Sequence, residues 1–195
     1  MSRPDQDPRG PVLHQGGILR GLRRFRANNR GASAVEFALV APLLILLYFG
    51  LGELGQGMMA QRRVAHVAST IGDLAAQGTT LHDSDLADIV SVANTMMSPM
   101  STGSLAMRIT SITADANGVT KVDWSYVQGM AQIAPGTQIT VPTGLISVAG
   151  DSVIMSEATY AFTSPVGVVL PNGVNFNEKY YFRPRKTPTV ERVSP

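Results

Sequence analysis

Residues 30–55 read RGASAVEFALVAPLLILLYFGLGELG, and this stretch decides the fold. Sixteen uncharged residues separate Glu36 from Glu53, and the whole low-charge run of about twenty residues is long enough to cross a ~30 Å hydrocarbon core as a helix. Pro42 lies inside the run and removes one backbone N–H donor, so we expect a mild kink there. We therefore predict a transmembrane helix over residues 32–55. The alternative is a buried core helix, but a core helix of this length usually has a polar face.

Positive charge is concentrated before the apolar run. Residues 1–30 contain seven Arg and two Asp, whereas residues 31–178 have a net charge of −7. The topology anchor consists of Arg23, Arg24, Arg26 and Arg30. Because basic residues stay on the cytoplasmic side, we expect a cytoplasmic N-terminus and an exported C-terminal part. A cleaved secretory signal would also begin with arginines, but this apolar run is longer than usual and no convincing A-x-A site follows it.

The remaining composition excludes several classes of protein. The 195 residues include no Cys, which excludes a disulfide framework, a thiol nucleophile and a cysteine zinc site. Only 15% of residues are charged and the net charge is +2, so a histone-like nucleic-acid coat is excluded. The chain has no HExxH, P-loop or GxSxG motif. We therefore expect no enzymatic activity, cofactor, metal site, nucleic-acid partner or small-molecule substrate.

The start of the apolar run has a glycine and a glutamate at a characteristic spacing. Gly31 follows a basic leader, and Glu36 is the fifth residue after it, with Phe37 next. This pattern resembles the processing site of type IV prepilins, in which a peptidase cuts after the glycine. Cleavage between Gly31 and Ala32 would free a new N-terminal amine, which Glu36 of a neighbouring helix could neutralise. A simpler role for Glu36 is that of a carboxylate favoured near a helix N-terminus by the helix dipole.

A longer stretch resembles the TadE-like family of tight-adherence (Flp-type) pilus assembly proteins. The matching positions are Arg30, Gly31, Ala32, Ala34, Val35, Glu36, Phe37, Ala38, Leu39, Pro42, Leu43, Leu44, Phe49, Gly50 and Glu53. The resemblance covers about thirty residues. It implies a pseudopilin-like or minor-pilin-like accessory protein. Its partners would be membrane lipid, a prepilin peptidase, other pilins or pseudopilins and the inner-membrane assembly platform.

Two further motifs are weaker. Gly50–Gly55 matches G-x-G-x-x-G, but no βα repeats follow it, so we interpret these glycines as sites of close packing at the end of the span. Glu53 is expected at the outer membrane interface, where it is a possible contact for a partner. The acidic residues Asp83, Asp85 and Asp88 lack the Gly and Glu of a calcium loop, and Asp83 or Ser84 is expected to cap a helix.

The exported part is predicted to have an α+β, pilin-like fold. The long helix continues as an amphipathic helix over residues 56–78, and a small periplasmic domain over residues 79–182 has one further helix and a mainly antiparallel sheet. The predicted elements are a helix at 84–97 and strands at 105–113, 119–128, 138–141, 145–148, 152–163 and 174–182. We expect Val122, Trp124 and Tyr126 to share one face of the sheet, and residues 183–195 to form a flexible basic tail.

These observations favour a protein of the bacterial inner membrane, cleaved after Gly31, that passes into an assembly complex or a surface pilus. Removal of residues 1–31 would leave a net charge near −3. The alternative is an uncleaved, single-pass anchored binding module of an envelope or secretion complex. A periplasmic enzyme is a third class, but no nucleophile–base arrangement is visible in the sequence.

Overall fold

The computed structural model describes residues 30–146 and 148–193. These residues fall into two compact units divided between Tyr48 and Phe49. We call the described residues 30–48 the stem and the described residues from Phe49 to Val193 the head. The basic leader, with Arg23, Arg24 and Arg26, lies outside the described residues.

The first helix, α1, extends over Arg30–Gln77 and includes Pro42 without interruption. It is long and apolar enough to cross a membrane, and only 6% of its most apolar window is buried. Such low burial is not that of a core helix of a soluble protein. The stem is therefore an exposed apolar helix.

The head continues from α1 into one further helix and two small sheets. Strand β1 (Thr80–His82) is followed by helix α2 (Asp83–Met96), and strands β2 (Leu105–Ala114), β3 (Thr120–Gln128), β4 (Ser152–Phe162), β5 (Val174–Phe182) and β6 (Glu191–Val193) complete the chain. Strands β3-β2-β4-β5 form an antiparallel sheet in that order, while β1 and β6 pair in parallel. The predicted α+β, pilin-like fold class is thus confirmed.

The main core lies between the helices and one face of the four-stranded sheet. The last part of α1 contributes a stripe at helical spacing, comprising Ala60, Val64, Val67, Ala68, Ile71 and Ala75, all fully buried. Gly72 allows the helix to approach the sheet closely, because a Cβ there would meet Ser156 Oγ and the Phe182 ring. Strand β4 contributes Ile154, Ala158, Tyr160 and Phe162 to this core.

A smaller core covers the opposite face of the sheet. Ile112, Val122, Val153 and Met155 pack there with partly buried residues of the segment between β3 and β4. The placement of Val122 corrects the predicted alternation, in which it shared a face with Trp124. The β2–β3 register shifts between Ser111 and Ile112, so one extra residue of β3 lies between their partners and turns Val122 to the other side.

Three local predictions also need correction. The segments 138–141 and 145–148 contain no strand among their described residues, and Gln138 makes only an isolated bridge to Lys121. Asp85, rather than Asp83 or Ser84, accepts the backbone N–H of His82 at the start of α2, at 2.8 Å.

The third correction concerns the C-terminal tail, which contains strand β6. The physical reason is Val190, whose side chain is 1% exposed and whose carbonyl accepts the indole N–H of Trp124 at 2.7 Å. Arg192 Nε also donates to Asp83 Oδ1 at 2.7 Å. The tail is therefore held to the head by one apolar side chain and by specific polar contacts.

Candidate functional site

The predicted processing site lies in the first turn of α1. Gly31 and Ala32 are exposed, and among the described residues nothing beyond the adjacent residues and the backbone of the same helical turn stands within 4 Å of the position that a Cβ on Gly31 would occupy. Glu36 and Phe37 follow one turn later and are also exposed, with Phe37 at 70%. Ala32 and Glu36 are four residues apart and so lie on one face of the helix. Every side chain of the predicted processing and pairing site thus points away from the described protein.

Glu53 has a different environment from the one predicted. Its side chain is 1% exposed, and its carboxylate accepts three successive backbone N–H groups of the same chain. Oε1 accepts from Val168 at 2.6 Å, and Oε2 accepts from Val169 at 2.8 Å and from Leu170 at 3.0 Å. Both carboxylate oxygens therefore bind a loop of the same chain rather than being free for a partner, while the position of Glu53 at the outer membrane interface stays a prediction. We call the segment Ser164–Pro171 the clasp loop.

The clasp loop has a conformation that directs its N–H groups toward one point. The Ser164 hydroxyl oxygen accepts the N–H groups of Val166 and Gly167, both at 3.3 Å, which closes a tight turn. Gly167 has a φ of 70°, which side-chain-bearing residues rarely adopt. The next three N–H groups then face α1. This arrangement is a backbone anion cradle, occupied here by the carboxylate of Glu53.

The glycines of α1 complete the contact with the clasp loop. Gly50, Glu53 and Gly57 lie at helical spacing on one face of α1. A Cβ on Gly50 would lie 2.8 Å from Val169 Cγ2, and one on Gly57 would lie 3.7 Å from Leu170 Cδ1. Gly52 and Gly55, in contrast, have no such neighbours. Close packing thus accounts for Gly50 of the G-x-G-x-x-G match, and its partner is a loop rather than a second helix.

Other charged groups of the head pair with one another. Glu157 bonds both Arg108 and Lys179, with 2.7 Å between Lys179 Nζ and Glu157 Oε1. The hydrogen bond from Arg192 lowers the pKa of Asp83, with burial opposing and the positive charge adding to the effect. Among residues 30–146 and 148–193, no group of three His, Asp or Glu side chains could hold a metal ion. The charged residues named here are therefore structural, since each carboxylate faces a basic partner.

The sequence did not reveal the internal role of Glu53, because its three donors lie more than 110 positions along the chain. One available signal was the uncharged stretch 158–177, which has two prolines and consecutive valines and is atypical of an exported loop.

Comparison with known proteins gave one match. Residues 31–72 match the family model described as TadE-like protein. The matched segment contains Gly31, Glu36, Pro42 and Glu53, and it extends into the part of α1 that packs on the sheet. No curated protein and no solved structure matched the chain.

Proposed function

Because the chain carries the TadE-like segment of tight-adherence pilus assembly proteins over residues 31–72, we propose that it is a pseudopilin-like or minor-pilin-like subunit of that system. The proposal is supported by one observation above all. The same helix has an exposed apolar half with Glu36 near its start and a second half that forms the core of an α+β domain. A pilin-like subunit needs both halves of this helix, because it must first be anchored in a membrane and then pack among identical helices.

The first step of the proposed function is processing. A prepilin peptidase cuts between Gly31 and Ala32 on the cytoplasmic side, and the arginines before the cut hold that side of the helix in the cytoplasm. The absence of a side chain at Gly31 and the exposure of both residues support access by a peptidase. The head then lies in the periplasm, and the anchored protein contacts membrane lipid and the assembly platform.

The second step is assembly. The apolar stem leaves the lipid and packs with stems of other pilins or pseudopilins, with no cofactor required. An unpaired carboxylate is costly in such an apolar bundle. Glu36 therefore pairs with the new N-terminal amine of a neighbouring stem, and Phe37 packs beside it. Pro42 permits the local bend that such packing needs, because neighbouring helices can satisfy the freed carbonyl.

N-terminal sequencing of the protein from cells that contain the assembly system tests the processing step. We expect the mature chain to start at Ala32, and Gly31→Leu to leave the precursor intact because the bulkier side chain blocks the peptidase. Gly55→Leu is the matched control, since Gly55 also has open space around it in α1. A chain that retains Met1 in the unaltered protein would refute processing and would favour the uncleaved anchored module.

The pairing role of Glu36 is tested by Glu36→Gln together with the charge-preserving Glu36→Asp. We expect Glu36→Gln to be processed but to enter assemblies poorly, and Glu36→Asp to retain part of the assembly. Cross-linking of subunits in membranes measures the outcome. Unimpaired assembly of Glu36→Gln would count against the pairing.

A further inference from the structure

The clasp loop is an apolar and exposed part of the head. Val166, Val168 and Val169 are 48%, 44% and 43% exposed, and no charged residue occurs between Glu157 and Glu178. Exposed loops are normally polar, because water must solvate their backbone and side chains. Three exposed valines within four residues therefore require a partner surface or a non-aqueous surrounding.

The backbone donors between the two prolines of this loop are all paired within the chain. Pro165 and Pro171 have no N–H, and the five N–H groups between them have partners within the chain. Ser164 Oγ accepts those of residues 166 and 167, and the Glu53 carboxylate accepts those of residues 168–170. A loop in water can leave its N–H groups to the solvent. Internal pairing of these donors matters more where lipid replaces water, because an unsatisfied backbone group is costly there.

The position of the clasp loop beside α1 indicates what surrounds its exposed valines. The loop packs against α1 near Gly50, Glu53 and Gly57, at the C-terminal end of the apolar run in the sequence. Leu51 and Leu54 on the same stretch of helix are 61% and 45% exposed. The exposed apolar surface of the head thus includes both the loop and this part of α1, and the stem directly precedes this part of α1 in the sequence.

We propose that the clasp loop is a second membrane contact, which lies in the outer lipid interface of the membrane that α1 crosses. This inference rests on the proposed function, since it requires that α1 spans the membrane. The valines contact the boundary between headgroups and acyl chains, while Glu53 holds the loop amides and is itself shielded by them.

The absence of cysteine in the chain provides a direct test with single-cysteine variants of the full-length protein. Val166→Cys reports on the clasp loop. Val92→Cys on α2 is the matched control, because Val92 is a valine of similar exposure, at 47%, and lies outside both the clasp loop and the apolar run. Leu44→Cys, at a position 53% exposed, reports on the stem. Each variant carries a fluorophore and is reconstituted in vesicles of phosphatidylethanolamine and phosphatidylglycerol, with a nitroxide on lipid either near the headgroup or at mid-chain.

We expect the headgroup-proximal nitroxide to quench the Val166→Cys label, the mid-chain nitroxide to quench the Leu44→Cys label, and neither to quench the Val92→Cys label. Quenching at Leu44→Cys but not at Val166→Cys would overturn the inference and leave the proposed function standing. A lack of quenching at Leu44→Cys would instead refute the membrane span itself. If the Val166→Cys label is shielded only at high protein-to-lipid ratio, a second copy of the chain covers the loop, and the inference is also overturned.

Discussion

Glu53→Gln should release the clasp loop without unfolding the head. The substitution keeps the size of the side chain but removes its charge and one of its two acceptor oxygens. The remaining oxygen can serve Val169 and Leu170, which share Oε2 at 2.8 and 3.0 Å. The new NH2 group then faces the N–H of Val168, where the carboxylate accepted the shortest of the three bonds, at 2.6 Å. One donor is left facing another donor, and two charge-assisted bonds become neutral ones.

The size of the effect follows from these bonds. A hydrogen bond to a charged group contributes a factor of about 10 to 100 to an opening equilibrium, and a neutral bond contributes less. We therefore expect the amides of residues 168–170 to exchange with deuterium about 10- to 100-fold faster in Glu53→Gln. Glu53→Ala should bring their exchange close to that of an unprotected loop. Native-state exchange measures such local opening directly.

The assay is hydrogen exchange with mass spectrometry on the full-length protein in detergent micelles, read from a peptide that covers residues 164–171. A peptide from β2, in the centre of the sheet, should be unchanged and shows that the head is still folded. Asp88→Asn is the matched control, because it neutralises an exposed carboxylate on α2. Equal exchange of the loop in Glu53→Gln and in the unaltered protein would refute the role assigned to the carboxylate.

Three further predictions concern the head. Gly72→Val should destabilise the head by about 1–3 kcal/mol through overpacking against Ser156 and Phe182, whereas Gly55→Val should not. Urea unfolding followed by Trp124 fluorescence measures the difference, and equal unfolding midpoints of the two variants would contradict the packing. Removal of residues 188–195 should shift the Trp124 emission to longer wavelength, because the indole loses Val190, and an unchanged spectrum would mean that the tail does not cover it. The pKa of Asp83 is lowered in the folded state, so its bond with Arg192 stabilises the head above the ordinary aspartate range and ceases to do so as the pH falls through the lowered value. The stability difference between the unaltered protein and Asp83→Asn should therefore be constant near neutral pH and shrink as the pH falls below the ordinary aspartate range, and a difference that does not shrink on acidification would contradict the pairing.

Much of the fold followed from local patterns in the sequence. The length of the apolar run and the amphipathic pattern over residues 56–78 predicted α1, and Val64, Val67 and Ile71 lie at helical spacing on its buried side. Strands were predicted on both sides of Asp115–Gly118, and the turn between them has local causes: Gly118 has a φ of 76° and the Asp115 carboxylate accepts two backbone N–H groups. These features depend on residues close in sequence, so their physical causes are all visible in the sequence itself.

Other features depended on contacts between distant segments. The pairing of β1 with β6 joins residues about 110 positions apart, and no local pattern in either three-residue strand predicts it. The extra residue in β3 that turns Val122 away from Trp124 is likewise invisible in an alternating sequence. Strand predictions at 138–141 and 145–148 were wrong because these apolar residues cover the second core without pairing in a ladder.

By itself, the sequence determined that the protein has an apolar helix with a prepilin-like start and an α+β domain after it. The reason is that helix length, hydrophobic spacing and the Gly31–Glu36 separation are properties of consecutive residues. Only the tertiary structure decided the role of Glu53. A carboxylate next to an apolar run has the same local sequence whether it faces water, a partner or its own backbone. The three amides that bind it come together only when the chain folds back from β4, and this return determines both the burial of Glu53 and the exposure of the valines beside it.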